Sequence, residues 1–182
     1  MNDELEQLAE RSKRGDREAF SQIVRLLQQQ IFRYCYPMIG NKQDAEDAVQ
    51  EVFVRAYEKL HLYRENGSFT AWMYKIAHNV SINMIHRRRR LRGLLVRFTY
   101  EYNTSQQPEA STDETLALLS ELSAFERSLV ILKVIHDKSY NEISVILGGS
   151  PAYLRKKYER AKAKLQRNHG EFYMKERVSY ES

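Results

Sequence analysis

The segment with the clearest chemical potential in this 182-residue sequence is a basic stretch at residues 150–168. It opens with Ser150-Pro151, a favourable N-cap followed by proline at the first helical position. Four residues recur at helical spacing and predict a buried seam: Leu154, Tyr158, Ala161 and Leu165. Beside one acid, Glu159, the segment carries seven bases: Arg155, Lys156, Lys157, Arg160, Lys162, Lys164 and Arg167. Such a composition favours binding to a polyanion over an ordinary solvated surface.

The residues before this basic helix complete a motif. Ser139 and Glu142 have the spacing of a capping box, and Ile143 and Ile146 begin the apolar side of a short helix that a Gly-Gly pair ends. Helix, glycine turn and basic helix predict a helix-turn-helix, whose second helix enters the major groove with its first residues at base edges. The alternative is a generic basic surface helix. We favour DNA binding because cap, turn and first helix are in register.

A second polar stripe is predicted on a long helix that begins near Ser68. Its buried side comprises Phe69, Trp72, Met73, Ile76, Val80 and Met84, with one edge of Trp72 exposed. Its opposite side comprises Lys75, His78, Asn79, Asn83, His86, Arg87 and Arg90. Amides that lead into four arginines suit a surface that holds a strand by its backbone and captures unstacked bases. Tyr63 and Asn66, just before this helix, are placed to line such a pocket. The alternative for residues 86–90 is a localisation signal or a fraying helix end.

A third polar face is predicted on the middle helix of the N-terminal part. It comprises Asp47, Gln50, Glu51, Val54 and Glu58, which follow one another at helical intervals. An acidic stripe with an embedded apolar residue can dock a basic partner helix. Spacing alone favours an ordinary solvated face.

The net charge of +5 is distributed in blocks along the chain. Residues 86–100 carry six arginines and no acid, whereas residues 101–126 carry six acids and no base. Residues 127–182 hold 12 basic and six acidic side chains, and residues 1–85 are nearly balanced. Two basic patches separated by an acidic stretch indicate two separate contacts with a polyanion.

Only seven glycines and three prolines interrupt the chain, and no strand pattern competes with the helical ones, so we predict an all-α fold. We expect two small helical domains, an N-terminal helical bundle and a C-terminal helix-turn-helix, joined by a linker. The predicted limits are 1–92 for the bundle, 93–112 for the linker, 113–168 for the helix-turn-helix domain and 169–182 for a tail without an assigned role.

Local signals set the expected helix ends inside these domains. Asp16, Asp44 and Thr112 are the expected N-caps of three helices because their side chains can accept backbone N–H groups. Pro37 and Gly40 are expected to break the chain between the first two helices of the bundle.

Catalysis, metal binding and cofactor binding are not expected. The sequence lacks a glycine-rich phosphate loop, an HExxH motif and a CxxC pair, and its five histidines form no i, i+4 ligand pair. We therefore predict no catalytic residue, no metal site and no cofactor. Cys35 is the only cysteine, and the mean hydropathy of −0.63 argues against membrane insertion. We expect a cytoplasmic protein.

The three polar surfaces occur in an order that resembles bacterial RNA polymerase sigma factors of the extracytoplasmic-function (ECF) subfamily of the sigma-70 family. Residues 44–53, DAEDAVQEVF, resemble the polymerase-docking motif of that family. Residues 69–79, FTAWMYKIAHN, with the arginines at 87–90, resemble its promoter-melting motif. Residues 132–161 resemble its second DNA-binding domain. The resemblance spans nearly all of residues 15–167.

The resemblance implies a sigma factor that binds core RNA polymerase and directs promoter-specific transcription initiation, with sigma region 2 at 1–92 and sigma region 4 at 113–168. The implied contacts with the clamp helices of the largest polymerase subunit are Asp47, Gln50 and Glu51. Together with the polar stripe, the resemblance gives these −10 DNA contacts: Tyr63, Asn66, Trp72, Lys75, Asn79, Asn83, Arg87 and Arg90. The corresponding −35 DNA contacts are Lys133, Tyr153, Arg155, Lys156, Lys157 and Arg160.

Other partners and interpretations stay open at this point. Many relatives are held by an anti-sigma factor, sometimes at the membrane, so such a regulator is a further candidate partner beside polymerase and promoter DNA. A helix-turn-helix regulator that acts without being a polymerase subunit is the main alternative function. An RNA- or single-strand-binding module is another. Tyr153 and Tyr158 depart from the residues usual in the family, so the preferred −35 sequence is left open.

Overall fold

The computed structural model describes residues 2–64, 68–99 and 114–168, and all regular secondary structure in these segments is helical. The predicted all-α fold is therefore confirmed. The helices are α1 (Asn2–Lys13), α2 (Arg17–Ile39), α3 (Lys42–Lys59), α4 (Phe69–Thr99), α5 (Glu114–Ser120), α6 (Ala124–Val130), α7 (Tyr140–Leu147) and α8 (Pro151–Asn168). A 3-10 turn (Leu60–Leu62) follows α3, and a π-helical turn (Ile131–Ile135) extends α6. No helix in the described segments combines enough length and apolar character to traverse a bilayer.

Helices α1–α4, the N-terminal half, form a bundle around an apolar core. α2 packs against α1, α3 and α4, and it buries Ile23, Leu27 and Ile31 at four-residue intervals. α4 contributes Phe69 and Val80 to the same core. Helices α2 and α4 therefore bury the apolar stripes that their sequence periodicity predicts.

The helix α1 was not expected from the sequence. Leu5, Leu8 and Ala9 are buried in the bundle core, while Asp3 and Glu4 lie exposed in the first turn. The short apolar stripe of α1 is interrupted by charged residues, so it gives only a weak helical pattern in the sequence. The helix completes the bundle by covering parts of α2 and α4.

The end of α2 differs from expectation. Pro37 lies inside the helix instead of breaking it, and the helix continues to Ile39. Proline cannot donate an N–H to the carbonyl four residues earlier, that of Arg33, but the rest of the turn keeps its geometry. Gly40 ends the helix as expected, with a φ of 78° that favours glycine.

The N-cap of α2 was predicted correctly, and the N-cap of α3 was not. Asp16 caps α2 and accepts the Ala19 N–H at 3.0 Å. The predicted cap Asp44 instead lies in the first turn of α3, and its N–H donates to Asn41 Oδ1 at 2.9 Å. Asn41 is the actual N-cap.

The long helix α4 runs past the predicted end of the first domain. A linker was predicted at residues 93–112, but the chain remains helical to Thr99. The remaining linker residues, the predicted cap Thr112 and the predicted tail 169–182 lie outside the described residues.

Helices α5–α8, the C-terminal half, form a second cluster with the helix-turn-helix at its end. Leu129, Leu132, Ile143 and Leu154 are fully buried and connect α6, the π-helical turn, α7 and α8. The capping box that begins at Ser139 is present as predicted. A second capping box starts α6, with Ser123 as its N-cap, and was not predicted.

Candidate nucleic-acid and partner interfaces

The predicted docking face on α3 is partly exposed. Asp47 and Gln50 are exposed, whereas Glu51 is half-buried and pairs with Arg55 at 2.5 Å between Oε1 and Nη2. Val54, between these polar residues and the end of the helix, is 57% exposed. α3 thus presents an acidic, hydrogen-bonding surface with one uncovered apolar side chain.

The predicted strand-holding stripe is present on α4. Its exposed members follow one another every three or four residues and so share one side of the helix: Lys75, Asn79, Asn83, Arg87 and Arg90. Arg88, between the last two, is instead engaged by Asp44 of α3, at 3.1 Å between Nη1 and Oδ2. Trp72 is half-buried, as expected for a core tryptophan with one exposed edge.

His78 was expected on this exposed stripe, but the structure contradicts that placement. Its Nδ1 lies 3.1 Å from the Tyr34 hydroxyl, and burial lowers its pKa. The residue lies one turn from Lys75 and near the edge of the stripe, so its helical position alone could not decide between solvent and packing. His78 is therefore half-buried and packs towards α2 instead of facing solvent with the stripe.

A cavity of about 250 Å³ lies at the N-terminal end of this stripe. It is lined by Tyr63, Arg64, Ser68, Ala71, Trp72, Lys75 and Val145. Aromatic rings and cations around one opening are the groups that stack on bases and contact phosphates in single-strand sites. The predicted site residues Tyr63, Trp72 and Lys75 are brought together here, while Asn66 lies outside the described residues.

Tyr63 is more buried than its predicted role implies. Its ring meets Phe69 edge-on at 5.1 Å and Trp72 at 5.3 Å between centroids. Its hydroxyl donates to Glu6 Oε2 of α1 at 2.7 Å. Sequence reasoning missed Glu6, because no spacing rule connects a residue on α1 with one 57 positions later.

The helix-turn-helix is formed by α7, a glycine turn and α8. Gly148 and Gly149 have φ values of 77° and 83°, a region that side-chain-bearing residues rarely adopt. Ser150 then caps α8 and accepts the Tyr153 N–H at 3.2 Å. Leu154 is fully buried and anchors α8 on the preceding helices. These features confirm the predicted local motif.

The predicted contacts on α8 lie mostly in solvent. Tyr153, Arg155, Lys156 and Arg160 are exposed, and Lys157 is half-buried. Tyr153, at 47% exposure, has its ring 6.4 Å from that of Phe125, so it is held at the start of the helix without being covered.

Lys133 and Arg155 are joined through Tyr140, the first residue of α7. Lys133 Nζ lies 5.5 Å and the Arg155 guanidinium carbon 5.4 Å from the Tyr140 ring centroid. Lys133 also donates to the Lys138 carbonyl at 3.3 Å. The aromatic ring therefore connects two cations that are distant in sequence, at distances typical of cation–π contacts.

The two halves pack against each other through polar side chains. The Tyr34 hydroxyl lies 2.6 Å from Ser128 Oγ, and the Tyr74 hydroxyl lies 2.7 Å from His136 Nδ1. Burial raises the pKa of both tyrosines and lowers the pKa of His136 to about 4. All four groups are therefore neutral near pH 7, as a water-poor interface requires.

Arg127 adds a second polar link between the halves. Its Nη1 donates to the Met38 carbonyl of α2 at 2.7 Å, and its Nε donates to the Leu119 carbonyl of α5 at 2.8 Å. Carbonyls at helix C-termini lack intrahelical donors and attract cations. One guanidinium thus binds the ends of helices from both halves.

The packing also brings the helix-turn-helix next to the cavity. α7 contacts α4, and Val145 of α7 lines the cavity together with Trp72. Val145 is still 53% exposed, so the cavity is bordered, but not filled, by the C-terminal half.

The structure combines a helical bundle, which carries an exposed polar and basic stripe on α4, with a C-terminal helix-turn-helix. Residues 23–92 match the family model for Sigma-70 region 2, and residues 112–165 match that for Sigma-70, region 4. The chain therefore belongs to the sigma-70 family, among the factors of the ECF type.

Similar proteins agree with this family. The chain is 40% identical to the ECF RNA polymerase sigma factor SigW of Bacillus subtilis over 77 residues, which are 42% of this chain and 41% of SigW. It is 29% identical to the ECF sigma factor SigE of Mycolicibacterium smegmatis, over 84% of this chain and 63% of SigE. The match thus spans less than two thirds of either relative. The structure of CnrH in complex with the cytosolic domain of CnrY is similar with a TM-score of 0.68 and 25% identity, covering 87% of this chain and 92% of CnrH.

Proposed function

We propose that this chain is a promoter-specificity subunit of bacterial RNA polymerase, which directs initiation through −10 and −35 elements. The observation that carries the proposal is the aromatic and cationic cavity at the start of α4, which continues into the exposed stripe of amides and arginines. A duplex-binding regulator has no use for such a surface. A subunit that must hold an opened strand needs one, because unstacked bases require stacking partners and their phosphates require cations.

Each surface has its own role in this proposal. Asp47, Gln50 and Glu51 on α3 contact the clamp helices of the largest polymerase subunit, with Val54 packing in their midst. The cavity and the α4 stripe bind the −10 strand. The first turn of α8 enters the major groove of the −35 element, where exposed Tyr153 and Arg155 reach base edges and later bases neutralise phosphates.

The proposal requires the two halves to separate. Positions −10 and −35 are about 25 base pairs apart, or about 85 Å of duplex at 3.4 Å per base pair. A compact chain of this length has a radius of gyration of about 16 Å and a diameter of about 40 Å. The packed arrangement therefore cannot contact both elements at once, and we assign it to the free protein.

The deciding experiment is run-off transcription with purified core polymerase on genomic promoters. We expect initiation from specific promoters with the wild type and at least a tenfold loss with Asp47→Ala/Glu51→Ala. Exposed Glu46→Ala, on the same helix but outside the predicted docking face, is the control and should lose less. Operator binding without polymerase, and no initiation from any promoter, would instead identify an ordinary helix-turn-helix regulator. Affinity for unpaired strands alone would identify a single-strand-binding module.

One further partner and two properties are part of the proposal, although no contact in the structure tests them. An anti-sigma factor remains a predicted partner, which co-purification from cells under non-inducing conditions would detect. A cytoplasmic location and the absence of a catalytic centre remain predictions as well.

A further inference from the structure

The carboxylate of Glu6 binds two groups that lie on either side of the turn before α4. Its Oε2 accepts the hydroxyl of Tyr63 at 2.7 Å, and its Oε1 accepts the backbone N–H of Phe69 at 2.7 Å. Both oxygens of one side chain are thus used in charge-assisted hydrogen bonds, which are about twice as strong as neutral ones.

The hydrogen bond from Phe69 satisfies a backbone N–H at the N-terminus of α4. Phe69 is the first residue of the helix, and the first four N–H groups of a helix have no intrahelical acceptor. A carboxylate at this end is also favoured by the helix dipole. Glu6 therefore acts on α4 as a capping residue does, although it comes from a different helix.

The bond to Tyr63 fixes an aromatic ring. Tyr63 lies against both Phe69 and Trp72, and Lys13 Nζ of α1 lies 5.1 Å from the centroid of its ring. α1 itself is anchored by Leu5 and other buried residues. The ring is therefore held between α1 and α4 and has no freedom to swing.

These contacts determine one wall of the cavity. Tyr63, Arg64, Trp72 and Lys75 are among the residues that line it. Because Tyr63 is only 4% exposed, its ring supports this wall from behind while the half-buried Trp72 offers the larger surface. An unstacked base binds more tightly to an aromatic surface that already has the correct orientation, because no affinity is lost in ordering a mobile ring.

We propose that Glu6 is a positioning residue for strand capture, which holds Tyr63 and the first turn of α4 so that the cavity is preformed. The inference rests on the proposed function of the cavity. It assigns to α1 a part in binding the opened strand, although α1 carries no side chain that lines the cavity.

The test uses the full chain bound to core polymerase and a single-stranded oligonucleotide from the −10 region of a promoter that the wild type transcribes. The oligonucleotide carries 2-aminopurine, whose fluorescence reports unstacking. We expect Glu6→Ala to weaken strand binding about tenfold and to lower the fluorescence change, while the affinity of the polymerase-bound chain for a −35 duplex stays within twofold. Exposed Glu4→Ala, on the same helix, is the matched control and should leave both affinities unchanged.

Conservative variants separate positioning from general stability. Glu6→Gln should recover most of the affinity, because its amide can accept from the Phe69 N–H and donate to the Tyr63 oxygen. Tyr63→Phe, which keeps the ring and loses one bond, should lie between the wild type and Glu6→Ala. If Glu6→Ala fails to fold, the strand affinities of these two variants still test the positioning role.

The possible outcomes have distinct meanings. Equal losses of strand and −35 duplex binding, or normal strand binding by Glu6→Ala, would overturn the positioning role and leave the proposed function intact. A wild type that transcribes no promoter with core polymerase would overturn the proposed function first.

Discussion

Tyr74 of α4 and His136, next to the π-helical turn, share a hydrogen bond of 2.7 Å between the phenol oxygen and the imidazole Nδ1, and this bond joins the two halves of the molecule. Tyr74 is fully buried. The ring centroids are 5.1 Å apart, so the two groups also pack edge to face. If the halves separate on promoters, this contact is among those that must break and re-form.

Loss of the Tyr74 hydroxyl should favour separation of the halves. Tyr74→Phe leaves His136 Nδ1 buried without its partner, at a cost of about 1–3 kcal/mol in the packed arrangement. Resonance energy transfer between dyes attached to Gln43→Cys and Glu159→Cys would measure the change. Cys35 will not react, because burial raises its pKa to about 12. Exposed Tyr57→Phe is the control, and equal transfer in both variants would show that the hydroxyl does not hold the halves together.

Acid should also favour separation. Burial, with smaller effects of Arg33 and Lys138, lowers the pKa of His136 from 6.5 to about 4 when the halves are packed. The packed state therefore binds fewer protons; its advantage is complete above pH 6.5 and is lost as the pH falls towards 4. At pH 5.5 we expect the ratio of separated to packed molecules to be about tenfold higher than at pH 7.5.

The same labelled protein tests this dependence, and substitutions identify the responsible group. His136→Gln should flatten the pH profile, whereas His61→Gln, at an exposed position, should not. His78 contacts Tyr34 within the N-terminal half, so its contribution to the slope should be small. If the pH dependence is unchanged in His136→Gln, another titrating group is responsible for it.

Neighbouring arginines on α4 should differ in their contribution to strand binding. Each phosphate contact with a single strand changes the slope of log K against log salt by about 0.7. Arg87 and Arg90 are exposed, whereas Arg88 is already paired with Asp44. We expect Arg87→Ala or Arg90→Ala to reduce the slope by about 0.7 and Arg88→Ala to change it less. A salt titration of strand binding by the polymerase-bound chain would measure this. Identical slopes for all three variants would contradict the proposal that the exposed stripe contacts the strand phosphates.

The glycine turn should tolerate no side chain at Gly148. Its φ of 77° and ψ of 177° belong to a region that is essentially restricted to glycine, and a substitution there costs about 1–3 kcal/mol. A Cβ would meet no atom within 4 Å, so the cost comes from the backbone alone. Thermal unfolding of Gly148→Ala should show the loss, together with weaker −35 duplex binding. Gly40→Ala, which ends α2, should lower stability without affecting that duplex.

The sequence predicts best those features that depend on residues close together in the chain. The cap at Ser139, the glycine turn and the buried Leu154 follow from local rules of helix formation, and all are present. The exposed stripe on α4 likewise follows from helical periodicity, with the exception of His78.

Features that depend on distant pairs were not predictable in this way. Glu6 and Tyr63, or Tyr34 and Ser128, meet only because helices pack, and single-sequence patterns carry no record of which polar groups will share an interface. The N-cap of α3 was not predictable for a different reason. Asn41 and Asp44 are both good capping residues, and the sequence does not say which one is used; the structure has Asn41.

Pro37 has a consequence beyond the course of α2. Because it has no N–H, the carbonyl of Arg33 has no partner four residues on and is left as an acceptor on the side of the helix. His136 makes no hydrogen bond of good geometry through Nε2, yet the Arg33 carbonyl is close enough to raise its pKa in part. A carbonyl left without its partner in one helix thus lies close enough to a histidine of the other half to offset a small part of the lowering of its pKa.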